Sequence, residues 1–155
     1  MRHHLAQVNI GRLRAPLDSP QLAGFVAALE PINALADAAP GFVWRLQTED
    51  GDATALRPFA DDMMIINMST WTSLDALRDF VYRSDHRAVM ARRREYFEKL
   101  DEVFVALWWV REGHRPTTDE AKDRLALLDR LGPTPSAFTF RTAFPAPGPP
   151  VERAS

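Results

Sequence analysis

The sequence predicts an α+β fold, and three observations predict it. Two runs, 63–71 (MMIINMSTW) and 102–110 (EVFVALWWV), are apolar on both alternations, as strands covered on both faces are. The segments around them place apolar residues at helical spacing between capping and stop residues. Taken in order, the elements read β-α-β-β-α-α-β-α-β, which contains the split β-α-β of a ferredoxin-like antiparallel sheet with helices on one face.

The opening strand is LAQVNI, with Gln7 and Asn9 on one face, Ala6, Val8 and Ile10 on the other, and Gly11 closing it. A helix follows Pro16, with Asp18 or Ser19 as its cap and Pro20 in its first turn. Its apolar stripe is Leu22, Phe25, Val26, Leu29, Ile32 and Leu35. Pro31 is expected to kink it and Pro40-Gly41 to stop it. FVWRL (42–46) is a short strand, and 48–62 has the turn residues and charge of a loop or hairpin connection.

In the strand 63–71, Asn67 and Ser69 are polar exceptions. Thr72 or Ser73 then caps a helix that turns Leu74, Leu77, Phe80 and Val81 toward a core. A second helical segment, 82–97, precedes the strand 102–110. Pro116 to Glu120 open a helix carrying Leu125, Leu128 and Leu131, which Gly132 stops. A last strand is expected over 137–144. The remainder, 145–155, is proline-rich and polar, so the reading is one domain over 1–144 and a disordered tail.

A sheet with helices on one face leaves the other bare. Strands apolar on both faces would then expose several hundred square ångströms of apolar surface in a monomer, so a homodimer packed sheet against sheet is expected. Length supports a single domain: 155 residues lie within the usual range of roughly 100–200.

A net charge of -2 gives no general attraction to nucleic acid. The chain has no cysteine, which excludes disulfides, thiolate metal sites and a cysteine nucleophile. The N-terminal residues resemble neither a signal peptide nor an anchor, and no run approaches the ~18 apolar residues of a spanning helix, so a soluble, cytoplasmic protein without membrane contact is expected. There is no Gly-rich phosphate loop, no G-x-S-x-G elbow and no pair of carboxylates on one element.

The candidate site residues are polar groups set among apolar ones. In YRSDHRAVMARRREYF (82–97), helical spacing aligns His86, Met90, Arg93 and Phe97, with Tyr82 one turn before His86. Arg83, Arg87, Arg92 and Arg94 fall elsewhere and read as a solvated face. His86 in a first helical turn is held neutral by the helix dipole and able to accept a proton; the plainer reading is a histidine that caps a loop. Arg93 needs an anionic or carbonyl partner, met either by a ligand or by Asp101 or Glu102.

His114 either reaches a pocket mouth or ties its loop to Asp119. His86 and His114 lack the spacing and third ligand of a metal site. Adjacent Trp108 and Trp109 face opposite sides of their strand, so one of them is placed to line a pocket; core packing is the plainer role for each tryptophan, Trp71 included. Asn9, Asn67 and Ser69 on apolar strands are costly unless hydrogen-bonded, and so are placed to orient a ligand or a buried water.

The pieces W-x-S-L-x-x-L-x-x-F-V-Y (71–82), W-W-V-x-x-G-H-x-P-T (108–117) and A-F-T-F (137–140) together resemble the DUF3291 family over roughly residues 4–144. That family of unknown function is placed with the dimeric α/β-barrel proteins, which include antibiotic-biosynthesis monooxygenases, haem-degrading enzymes, muconolactone isomerase-like proteins and polyketide cyclases. The resemblance implies a dimeric α/β barrel with a ligand pocket between sheet and helices, and no particular reaction.

The expectation is a monooxygenase-like enzyme without metal or flavin, acting on a small apolar or aromatic molecule. His86, Arg93 and Asn67 would be catalytic, and Tyr82, Met90, Phe97, Trp71, Trp108, Asn9 and His114 would bind substrate. The alternatives are a cyclase or isomerase in the same pocket, a haem-binding protein using His86, and a non-catalytic ligand-binding dimer.

Overall fold

The computed structural model describes residues 2–47, 63–83, 93–99 and 103–147. Strand β1 (His3–Arg12) leads through a 3-10 turn (Pro20–Leu22) into helix α1 (Ala23–Ala38) and strand β2 (Phe42–Arg45). Strand β3 (Met64–Trp71) and helix α2 (Leu74–Arg83) follow, then a single turn α3 (Arg93–Tyr96), strand β4 (Val105–Arg111) and helix α4 (Thr118–Leu131). The sheet order is β2-β3-β1-β4 with every pairing antiparallel. β1 and β2 therefore run parallel with β3 between them, which is the split β-α-β expected from the sequence.

Local chemistry accounts for the element ends. Pro20 starts the first helical turn behind Ser19, and α1 runs unbroken through Pro31 before it ends ahead of Pro40. Gly41 follows at φ 83, where a side chain would be strained. Thr117 caps α4 by accepting a hydrogen bond from the Glu120 backbone N–H at 3.1 Å, and Gly132 ends that helix at φ 72.

The two faces of the sheet are both covered. α1 and α2 lie over the face of Leu5 and Trp71, where Leu77, Leu107 and Phe138 complete one core cluster. The opposite face, expected bare, carries α4: Ala121, Leu125 and Leu128 pack on Ala6, Val8, Ile66, Met68, Ala106 and Trp108. Those strand residues are buried within the single chain, so the apolar surface that called for a sheet-to-sheet dimer is absent from the protomer. A third cluster joins Leu13, Leu22, Ile65, Tyr96 and Phe97 at the far end of β1.

The expected last strand, 137–144, does not form. Phe138 exchanges backbone hydrogen bonds with Leu107 at the outer edge of β4, at 2.8 and 2.9 Å. The chain then leaves the edge, because the Thr139 hydroxyl accepts the Thr142 backbone N–H at 3.1 Å and closes a local turn in place of a ladder. The segment stays anchored further on, where the Trp109 indole N–H donates to the Phe144 carbonyl at 2.9 Å.

Candidate functional site

A cavity of about 120 Å³ lies between the sheet and the helices α1 and α2. Its floor is the polar row of the sheet: Gln7 and Asn9 of β1, Asn67, Ser69 and Trp71 of β3, and Arg45 of β2. Its walls are Ile32, Asn33 and Ala36 of α1 and Leu77, Phe80 and Val81 of α2; Phe104, Val105 and Phe140 close the rim. This is roughly the scale of a cavity of about 150 Å³ that admits a benzene ring.

Strand periodicity builds the floor. Alternate residues share a face, and the register sets Gln7 opposite Ser69, Asn9 opposite Asn67 and Leu5 opposite Trp71. β2 alone would not deliver Arg45, because in a regular strand Phe42 and Arg45 point to opposite faces. A bulge at Val43 changes this: Phe42 pairs with Trp71, Trp44 with Thr70 and Arg45 with Ser69. Phe42 and Arg45 thus share the cavity face, while Trp44 turns to the other core.

The polar row is a connected network. Gln7 Nε2 donates to Asn67 Oδ1 and to Ser69 Oγ, each at 2.8 Å. Asn9 Nδ2 donates to Gln7 Oε1 and to Asn67 Oδ1, each at 3.2 Å. Ser69 Oγ also accepts the Trp71 indole N–H at 2.8 Å, and Phe80 stacks on the Trp71 ring at 5.2 Å.

Gln7 and Ser69 are buried and satisfied, whereas Asn67 is the exposed residue of β3. Two donors hold its Oδ1, which leaves its Nδ2 amide without a protein partner among the described residues and turned to the cavity. Arg45 gives the floor its charge. Its Nε donates to Asp37 Oδ1 of α1 at 2.8 Å and its Nη2 to Oδ2 at 3.4 Å. Among the described lining residues no carboxylate or histidine is present, so the cavity is rich in donors and enclosed by apolar walls.

Of the residues singled out in the sequence, Asn9, Asn67 and Trp71 come together here. Tyr82 is half exposed and is not among the lining residues; its ring meets that of Phe140 edge-on at 5.9 Å. Phe97 is buried elsewhere, its ring 5.1 Å from Phe25 and its backbone bridged to Leu13. His86 and Met90 lie outside the described residues, as does the side chain of Arg93.

Trp108 and His114 sit on the opposite face of the sheet. Trp108 pairs across from Ala6 and is wholly buried under α4. Glu120 Oε2 accepts the Trp108 indole N–H at 2.8 Å, and Glu120 Oε1 lies 2.7 Å from His114 Nε2. The partner of His114 is therefore Glu120 rather than Asp119. Burial pushes the Glu120 carboxyl up, but hydrogen bonds from His114 and Trp108 and the charges of His114 and Arg124 bring it below its ordinary value. Neither Trp108 nor His114 lines the cavity.

Gln7, Asn33 and Arg45 were not singled out as site residues. Gln7 carried a signal, since it shares the alternation of Asn9, while Arg45 was hidden by the bulge.

The family model for the domain of unknown function DUF3291 matches residues 4–154. The chain belongs to the DUF3291 family. The match runs past the boundary expected at residue 144. No curated protein matches this DUF3291 chain.

Among solved structures it is similar to SnoaB, a cofactor-independent oxygenase from Streptomyces nogalater, at 19% identity and TM-score 0.49, covering 74% of this chain and 95% of that one. It is also similar to Rv0793 from Mycobacterium tuberculosis, at 13% identity and TM-score 0.47, covering 74% and 99% of the two chains. A candidate antibiotic biosynthesis monooxygenase from Chloroflexus aurantiacus J-10-fl is 18% identical at TM-score 0.46, covering 72% and 97%. Among the described residues there is no cluster of three histidines or carboxylates that could hold a metal, and no helix long and apolar enough to cross a membrane.

Proposed function

We propose that this DUF3291 chain binds a small, largely apolar or aromatic molecule in the cavity between sheet and helices and acts on it by monooxygenase-like chemistry without metal or flavin. The observation that carries the reading is the Asn67 amide, held by Gln7 and Asn9 with its Nδ2 donors turned into an apolar enclosure. Donors fixed in advance stabilise a negative oxygen better than mobile water, because they need not reorganise as the charge develops. A phenol or enol would bind with its oxygen at Asn67 and its ring against Trp71 and Phe80. Loss of its proton gives an electron-rich carbon that forms a C–O bond with dioxygen; the O–O bond of the resulting hydroperoxide then breaks with loss of water and leaves a carbonyl, the substrate itself supplying the electrons.

The proton acceptor in this scheme is His86, and Arg93 is an alternative to Asn67 as stabiliser of the oxyanion; both are assigned from their place in the sequence. The test is oxygen uptake with a panel of phenolic substrates. Asn67→Ala is expected to lower kcat by about 10²–10³-fold with little change in Tm. Ring binding without oxygen uptake would sink the oxygenase reading and leave the cyclase or isomerase.

The absence of a carboxylate or histidine among the described lining residues favours a second reading, a ligand-binding protein without catalysis. In that case His86→Ala leaves both function and affinity unchanged. Haem binding belongs to the same set of readings, and a Soret band on adding haemin separates it from the rest.

A homodimer is part of the proposal through the family resemblance. α4 occupies the sheet face that a sheet-to-sheet dimer would use, so the interface includes surface other than bare strands. Sedimentation of the full chain at 17.5 kDa under micromolar conditions would remove the dimer.

A further inference from the structure

Resting on the cavity reading above, we infer that Asn33 of α1 is the specificity residue of the site, and that it selects ring ligands carrying a second hydroxyl group at the end away from Asn67. Both asparagines line the cavity, Asn67 on the sheet and Asn33 on the helix that covers it.

Topology sets them on opposite sides of the enclosed space. The Phe42 backbone N–H donates to the Ala39 carbonyl, and further along β2 Arg45 reaches back to Asp37, so α1 and β2 run antiparallel. β2 is also antiparallel to β3, and α1 therefore runs in the direction of β3. Arg45 marks one level of the stack, bonded to Asp37 on the helix and paired with Ser69 on the sheet. One turn back along α1, about 6 Å, comes Asn33; two residues back along β3, about 7 Å, comes Asn67. A cavity of about 120 Å³ leaves room for one ring between them.

The two amides offer different hydrogen bonds. Asn67 Oδ1 is taken by Gln7 and Asn9, so Asn67 presents donors alone. The half-buried Asn33 amide has no protein partner among the described residues, and it keeps its acceptor oxygen as well as its donors. Asparagine is also a poorer helix former than alanine or leucine, so neither helix stability nor an internal hydrogen bond accounts for it in the middle of α1. A hydroxyl facing Asn33 donates to Oδ1 and accepts from Nδ2. A halogen or a bare ring edge at that end leaves Oδ1 without a donor. An asparagine that only meets solvent at the helix surface predicts no such preference.

The experiment titrates the full-length protein at pH 7, under nitrogen, with hydroquinone and with para-fluorophenol, which has nearly the same shape and lacks the second hydroxyl. Binding is followed by the NMR signals of the Asn33 and Asn67 side-chain amides and the Trp71 indole. Hydroquinone is expected to bind roughly three- to tenfold tighter, the range of one net hydrogen bond. Asn33→Leu nearly keeps the volume of the side chain and removes its polar atoms, so it abolishes that preference while para-fluorophenol still binds.

Asn33→Ala leaves more room, separates loss of the amide from blockage by the leucine, and should show no preference either. Both replacements are better helix formers, so Tm should change little. Equal binding of the two probes to the wild type, or a preference that survives both substitutions, overturns the role of Asn33 and leaves the cavity reading standing. Failure of both probes to shift the Asn67 and Trp71 signals overturns both.

Discussion

At the scale of single residues, Gln7 and Asn67 divide the work of the polar row. Gln7 is 7% exposed and bonds three neighbours, so truncating it removes one hydrogen bond each from Asn67 Oδ1, Ser69 Oγ and the Asn9 amide and leaves a small void beside them. Gln7→Ala should therefore destabilise the fold by about 1–3 kcal/mol, measured by urea unfolding. Asn67 is exposed, and its loss should cost little stability but much activity. The same partners join the two residues, so their effects on ligand affinity should not add: with Gln7 gone, Asn67 is no longer aimed, and Asn67→Ala does little more. A double-mutant cycle on phenol affinity checks this, and strict additivity would mean that Gln7 does not position Asn67.

At the scale of elements, the turn between α1 and β2 presses on the start of α2. Gly41 accepts the Thr72 backbone N–H at 2.8 Å, and a Cβ placed on it would lie 2.5 Å from the Ala76 Cβ and 2.7 Å from Thr72 Oγ1. Gly41→Ala combines that clash with a backbone conformation at φ 83, and the conformational strain alone is worth about 1–3 kcal/mol. A loss of stability in urea beyond that range would come from displacement of α2, which carries one wall of the cavity, so weaker phenol binding should accompany it.

Pro40-Gly41 was readable in the sequence because a stop of this kind depends on local backbone chemistry alone. The bulge one step later was not readable. FVWRL alternates like any strand, and only the partner strand shows that Val43 is extra. The last strand was misread for a related reason: Phe138, Phe140 and Thr142 have the right period, but the Thr139 hydroxyl turns the chain off the β4 edge.

At the scale of the whole molecule, the sheet separates a polar cavity face from an apolar face sealed by α4. The sequence showed that β3 and β4 are buried on both sides, since apolar residues fill both alternations, but the cover on the second face is a contact between segments distant in the chain. Much of the polar fastening of α4 passes through Glu120, which ties the helix start to Trp108 in β4 and to His114 in the preceding loop. These partners hold the Glu120 carboxyl below its ordinary value of 4.5 despite burial, which alone would raise it. A depressed folded-state value means that the unfolded chain binds the proton more tightly. The stabilisation is then fully present above pH 4.5 and is lost as pH falls through the folded value. Thermal unfolding should show wild type more stable than Glu120→Gln at neutral pH, with the gap in Tm closing in acid below pH 4.5. Since Gln keeps the size of the side chain and a hydrogen-bonding oxygen, the absence of any gap at neutral pH would show that shape and neutral hydrogen bonding, and not the carboxylate charge, hold α4 on the sheet.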